Sequence, residues 1–214
     1  MTQQTKRLYA IIIITVFCLI IVTGIGNFRA KQLAVSLVGD NVTQAVSTAA
    51  KSLDGEKVKQ VISSLDEKNP YYAEMRKILI ESKNNYQLEN IYMLYKDQAQ
   101  ARWFYVVDAR EEADPAHTPL GKTEKRASAA VENTIRGKAV HGEHHVTSLG
   151  TFVSSYQEIK DQNGKTFAVL AGDFNAGEMT GFLYLTRYAQ IGIIALGLLL
   201  IGATVFLTQK KQGE

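Results

Sequence analysis

Residues 151–174 read TFVSSYQEIKDQNGKTFAVLAGDF, and the fold turns on this stretch. Thr151 to Ile159 is dense in β-branched and aromatic residues, as strands are. Asp161-Gln162-Asn163-Gly164 follows as a turn, because Asn-Gly tolerates the positive φ angles of tight hairpins. Thr166 to Phe174 then resumes the strand pattern. The segment is predicted to be an antiparallel hairpin.

A second hairpin lies upstream. Ile91 to Tyr95 and Trp103 to Val107 are aromatic and β-branched, and Lys96 to Ala101 between them is polar. Further upstream the period changes. Arg29 to about Leu65 has no proline, and Val35, Val38, Val42, Ala45, Ala49 and Leu53 recur every three or four residues. That spacing predicts a long helix with an apolar seam, and Gly55 marks a turn near its end. Asn69-Pro70 is a breaker before a second helix, Tyr71 to Asn84. Ala109 to Lys122 reads as a loop, Thr123 to Ile135 as a short helix closed by Gly137, and the segment around Gly142 as a loop. Helices followed by hairpins give an α+β domain, an antiparallel sheet with helices on one side.

Two uncharged apolar stretches flank this domain. Leu8 to Phe28 contains Ile11-Ile12-Ile13-Ile14, and Tyr188 to Gln209 contains the run Leu196 to Ile201. About 20 apolar residues are needed to cross about 30 Å of hydrocarbon as a helix, so both are expected to be transmembrane helices. The Thr23-Gly24-Ile25-Gly26 stretch is a poor cleavage site, which argues against a removed signal peptide. The expected organisation is a tail at 1–7, a span at 8–28, one domain at 29–187, a span at 188–208 and a tail at 209–214. From Gly177 the chain is expected to run as helix into the second span. Lys6 and Arg7 in one tail and Lys210 and Lys211 in the other favour both termini in the cytoplasm, although Arg29, Lys31 and Arg187 lie on the opposite flank.

With the tail charges set aside, acids and bases balance in the domain. Nothing in that balance favours nucleic acid as a partner. Cys18 is the single cysteine and falls inside the first span, so the domain has no disulfide and must rely on a packed core.

Two stretches resemble extracytoplasmic Cache domains, the PAS-like sensor domains of bacterial chemoreceptors, sensor histidine kinases and diguanylate cyclases. Asn90-Ile91-Tyr92-Met93-Leu94-Tyr95 followed by Phe104-Tyr105-Val106-Val107-Asp108-Ala109 is similar to the family's aromatic hairpin. Val153-Ser154-Ser155-Tyr156 through Asp161-Gln162-Asn163-Gly164-Lys165, then Ala168-Val169-Leu170-Ala171-Gly172-Asp173-Phe174, is similar to its closing hairpin. Gln157-Glu158 stands where the family usually has Ala-Pro. The resemblance spans residues 29–180 and implies a PAS-like antiparallel sheet with a long N-terminal helix, flanked by two transmembrane helices. It implies a bacterial inner-membrane sensor with its domain outside the cytoplasm. Family receptors continue after the second span into an output domain. None is visible after Gln209, so the signal is expected to pass to a separate signalling protein or to a missing output domain.

In this fold the carboxylate matching Asp173 often faces the ligand and holds an amino group. Strand alternation puts Asp173 on one face with Val169 and Ala171, and a buried carboxylate suits a cationic or zwitterionic ligand. Tyr92, Trp103, Tyr105 and Tyr156 can wall a small pocket and offer polar groups. Arg102 is a candidate partner for a ligand carboxylate, and Asp108 a candidate contact at its strand end. Core packing, a solvated arginine and a strand-end cap are the structural alternatives for these residues. His141, His144 and His145 cluster around Glu143. Imidazoles can bind zinc or nickel, but the spacing matches no standard signature, and no metal or other cofactor is expected. No Ser/His/Asp arrangement or glycine-rich phosphate loop occurs, so no enzyme activity is expected. The implied ligand is an amino acid, an amine or a carboxylate. The implied partners are the membrane and a second copy joined through helix 29–65. A ligand-independent membrane scaffold is the alternative.

Overall fold

The computed structural model describes residues 3–97, 102–124, 127–138 and 140–212. Its elements are α1 (Gln3–Ser52), α2 (Gly55–Ser64), α3 (Pro70–Asn85), β1 (Asn90–Asp97), β2 (Arg102–Asp108), β3 (Thr123–Glu124), α4 (Ala129–Ile135), β4 (Val140–Thr147), β5 (Gly150–Lys160), β6 (Thr166–Asn175) and α5 (Gly177–Gln212). The chain forms two compact units, Met1–Ala34 with Glu178–Glu214, and Val35–Gly177.

The first unit holds the start of α1 and nearly all of α5. Both helices are long and apolar enough to cross a membrane. Ile13, Val22, Ile193 and Leu199 are exposed, as side chains facing lipid must be. Among the described residues a polar bridge joins the two helices: Asn27 Nδ2 donates to Gln190 Oε1 at 2.9 Å, and also to the Thr23 carbonyl of its own helix at 2.9 Å.

The second unit is an α+β domain built on a PAS-like six-stranded antiparallel sheet in the order β3-β2-β1-β6-β5-β4. β1, β5 and β6 lie inside the sheet with both faces largely covered, and β6 accordingly reads as a continuous apolar run from Phe167 to Ala171. Val42, Ala45, Val46 and Ala49 of α1 pack with Met75 and Leu79 of α3 against Ile91, Met93, Ala168 and Leu170. α1 comes close at Gly172, where a Cβ would stand 2.6 Å from a Val46 methyl carbon. On the opposite face Ala130 and Val131 of α4 pack against Leu94, Trp103, Tyr156, Val169 and Ala171.

Three expectations need correction. The helix expected over 29–65 is two helices. The Asp54 carboxylate accepts the backbone N–H groups of Glu56 and Lys57 and so caps a new helix, while the Asp54 N–H donates to the Tyr71 hydroxyl. The apolar seam of α1 packs on its own sheet through Val42, Ala45 and Ala49. The segment around Gly142 is a strand rather than a loop. β4 is an edge strand paired only with β5 and interrupted by a bulge between Val140 and Glu143, so it needs neither apolar faces nor clean alternation. Finally, Thr123 and Glu124 add a short strand beside Trp103 and Phe104. α4 begins only at Ala129, capped by the Ser128 hydroxyl accepting from the Val131 N–H, and it covers the sheet face opposite the other helices. Lys96 belongs to β1, and residues 98–101 of the expected polar turn lie outside the described residues.

Candidate functional site

The register of the sheet assembles a site from residues far apart in sequence. Antiparallel partners project to the same face. Asn90 lies opposite Asp173, Asp173 opposite Ser154, and Ser154 opposite Glu143, which makes one polar rung across four strands. The next rung runs Asp108, Tyr92, Ala171, Tyr156 and Val140. Beyond the bulge in β1 and β2, Tyr105, Leu94, Val169 and Glu158 form a third. All three rungs face the α4 side. Tyr92 and Tyr105 lie with ring centroids 5.6 Å apart.

Hydrogen bonds tie the rungs together. The Ser154 hydroxyl donates to Asp173 Oδ1 at 2.5 Å. The Tyr156 hydroxyl donates to Glu143 Oε2 at 3.1 Å and is also bonded to Ser128, the cap of α4. Asp108 is buried and accepts the backbone N–H groups of Arg110 and Thr118, each at 2.9 Å. It therefore fixes the loop that leaves β2.

Burial sets the protonation states. It pushes the Tyr105 hydroxyl up to about 12 and raises Tyr92 and Tyr156 well above the usual phenol range, helped by the nearby carboxylates. These hydroxyls stay neutral near pH 7 and serve as both donors and acceptors. Burial also raises the Asp173 carboxyl. The Ser154 hydroxyl, then His145 and Arg110, pull it back, and Asp108 adds to the rise. Asp173 is thus a half-buried acid whose charge is only partly compensated, the environment in which an incoming cation gains most.

Asp173, Tyr92, Tyr105, Tyr156 and Asp108 are brought together on one face. Trp103 shares that face but is committed: it is 1% exposed, and its indole Nε1 donates to Glu132 Oε1 of α4 at 2.9 Å. Lys96 completes this link with a salt bridge to Glu132 at 2.7 Å. Arg102 is exposed, opposite Asp97 at the far end of β2, and is not part of the cluster. The histidines diverge. His141 lies 3.3 Å from Thr43 of α1, the register of β4 turns His144 to that same side, and His145 shares the face of Glu143. Among the described residues no group of three or more metal-ligating side chains converges. Asn90, Ser154 and Arg110 were not among the site candidates singled out from sequence, and Glu143 was named only beside the histidines. Counting back two residues from Tyr92 and from Tyr156 reaches Asn90 and Ser154, so strand alternation alone carried that signal.

No protein-family model matches the chain, and no curated protein does. Solved structures do. The ligand-binding domain of the Campylobacter jejuni chemoreceptor Tlp3 in complex with 4-methylisoleucine is similar with a TM-score of 0.41 at 10% identity, over 72% of this chain and 60% of that one. The ligand-binding domain of the Pseudomonas aeruginosa PAO1 amino acid chemoreceptor PctC in complex with GABA is similar with a TM-score of 0.35 at 16% identity, over 69% of this chain and 66% of that one. The chain therefore spans less than two thirds of the length of either domain. Both of these neighbours are ligand-binding domains of chemoreceptors. At these identities and TM-scores the chemistry of the site is read from its own residues.

Proposed function

We propose that this chain is a membrane-anchored sensor whose domain, held outside the cytoplasm, binds a small molecule on the α4 face of the sheet. The ligand is an amino acid, an amine or a carboxylate. The single observation that carries this reading is Asp173, an acid with raised proton affinity, sharing a sheet face with Tyr92, Tyr105 and Tyr156. A purely structural face has no use for a partly compensated carboxylate, because burying one without a cation costs several kcal/mol, of order 2–7 for even a neutral polar group.

The signal passes along α1 and α5 to a separate output protein or to an output domain beyond this sequence. A ligand shifts such a receptor only by its differential affinity for two arrangements. Both termini lie in the cytoplasm of a bacterial cell, on the side favoured by Lys6, Arg7, Lys210 and Lys211. The receptor works as a homodimer. With the seam of α1 turned to its own sheet, exposed Leu37 is the support for a contact on another face of the helix. No enzyme activity is assigned to the site.

The test is a calorimetric and thermal-shift screen of the full chain in lipid nanodiscs against amino acids, amines and organic acids. At least one is expected to raise the melting point, and Asp173→Ala is expected to abolish the rise. A well-folded chain that responds to none of them overturns the reading.

A further inference from the structure

Asn90 is 1% exposed, and its Oδ1 has no hydrogen-bond partner. The other buried polar side chains around it are engaged. Asp108 takes two backbone N–H groups, Ser154 donates to Asp173, and Ser155 donates to the Gly39 carbonyl. An amide oxygen left unpaired in a core is a standing cost to stability, because its desolvation is not offset. Such a cost is retained where something arrives to meet it.

The position of Asn90 says what arrives. It stands directly opposite Asp173 in the β1–β6 register, and strand alternation points it to the same face as Tyr92. Antiparallel partners lie about 4.5–5.5 Å apart at Cα, so the two side chains offer adjacent acceptors, one neutral and one anionic. Arg110, the guanidinium whose charge reaches Asp173, is engaged elsewhere: its Nη1 donates to the Ala116 carbonyl at 3.2 Å, and its Nε lies 3.8 Å from Asp114. Asp173, Asp108 and Glu143 make the rungs predominantly acidic. A carboxylate head group would meet two acceptors and repulsion. A quaternary ammonium group would bring charge without an N–H. A primary ammonium group brings charge and enough N–H donors for both.

We infer that Asn90 is the specificity-determining residue of this site, and that the ligand carries a primary ammonium group donating to Asn90 Oδ1 and Asp173. This rests on the reading of the α4 face as a binding site and narrows its ligand class.

The experiment uses the full chain in nanodiscs and titration calorimetry. The probes are the standard L-amino acids, ethanolamine and short diamines, against choline, N-trimethylglycine, acetate and propionate. Primary amines are expected to bind, and the N-trimethylated and deaminated probes are not. Asn90→Leu should weaken the binding primary amine by about 10- to 100-fold, the loss of one hydrogen bond to a charged group. It should leave the ligand-free melting point unchanged or higher, since an orphaned acceptor is removed. Asn90→Asp keeps an acceptor and should retain primary-amine binding, which serves as the control if Asn90→Leu fails to fold. Equal binding of trimethylated or deaminated probes by the wild type overturns the inference while the site stands, as does undiminished amine binding by a folded Asn90→Leu. Absence of binding by every probe overturns the site itself.

Discussion

A Cβ placed on Gly39 of α1 would stand 2.5 Å from the Cα of Gly142 in β4, so helix and edge strand meet backbone to backbone at these two glycines. Thr43 and Ser155 seal the contact. The Thr43 hydroxyl lies 2.7 Å from the Gly39 carbonyl and 2.9 Å from Ser155 Oγ, and the Gly142 N–H donates to Ser155 Oγ at 3.0 Å. In an open helix, alanine for glycine is favourable by about 1 kcal/mol. At Gly39 the sign reverses, because neither backbone can yield cheaply. Gly39→Ala is expected to destabilise the domain by about 1–3 kcal/mol. Gly181→Ala, with nothing within 4 Å, should be neutral or stabilising. Thermal unfolding of both variants in the same nanodiscs checks the pair.

Trp103 is the only tryptophan, so its fluorescence reports on α4 directly. Trp103→Phe keeps most of the buried area but removes the indole donor to Glu132, and about 1.5–3 kcal/mol should be lost, the range for a hydrogen bond to a charged group. Glu132→Gln in the wild-type background should shift the emission maximum, because the partner of the indole loses its charge. An unchanged spectrum and melting point in that variant would count against α4 being pinned through this residue.

The pH dependence of stability should carry two opposite signatures. Asp173 has its carboxyl raised by burial, so its contribution is fully present below the ordinary aspartate range and is lost as pH rises through the raised value. Asp173→Asn should therefore be more stable than wild type near pH 7, with the gap closing below about pH 4. Glu132 has its carboxyl lowered, first by Lys96 and then by Trp103 against the cost of burial. Its contribution is present above the ordinary glutamate range and disappears as pH falls through the lowered value. Glu132→Gln should thus lose stability near pH 7 and converge on wild type in acid. Melting curves from pH 3 to 8 separate the two.

Asn27 and Gln190 make the polar bridge of the apolar unit. Such bonds between membrane helices contribute about 0.6–2 kcal/mol. Asn27→Leu and Gln190→Leu are each expected to lower resistance to unfolding by that amount, and the double variant should cost no more than either single one. Additive losses would mean that the two amides act independently.

Strand alternation and turn chemistry made the central hairpins legible from the residues alone. Ile91, Met93, Ala168 and Leu170 fall on one face and Tyr92, Leu94, Val169 and Ala171 on the other, as period two requires. The spans were legible from length and hydropathy. What escaped was held by partners distant in sequence. Gly55 marked the turn, but the separate helix that follows depends on Asp54 capping it and on the Tyr71 hydroxyl reaching the Asp54 N–H. β4 is polar because an edge strand may be, and only its pairing with β5 makes it a strand. The candidate site was half legible. Tyrosines and a strand-end aspartate stand out by residue type, whereas Asn90 and Glu143 acquire their meaning from register, which a linear reading does not supply.

Ser154 and Ser155 are neighbours on β5 that face opposite ways. One holds Asp173 on the α4 face of the sheet, and the other holds the Gly39 carbonyl of α1. A single peptide unit therefore separates what a bound molecule would touch from the rod that leads toward the membrane. Whatever turned Ser154 about the axis of this strand would turn Ser155 with it, since one stretch of backbone carries both.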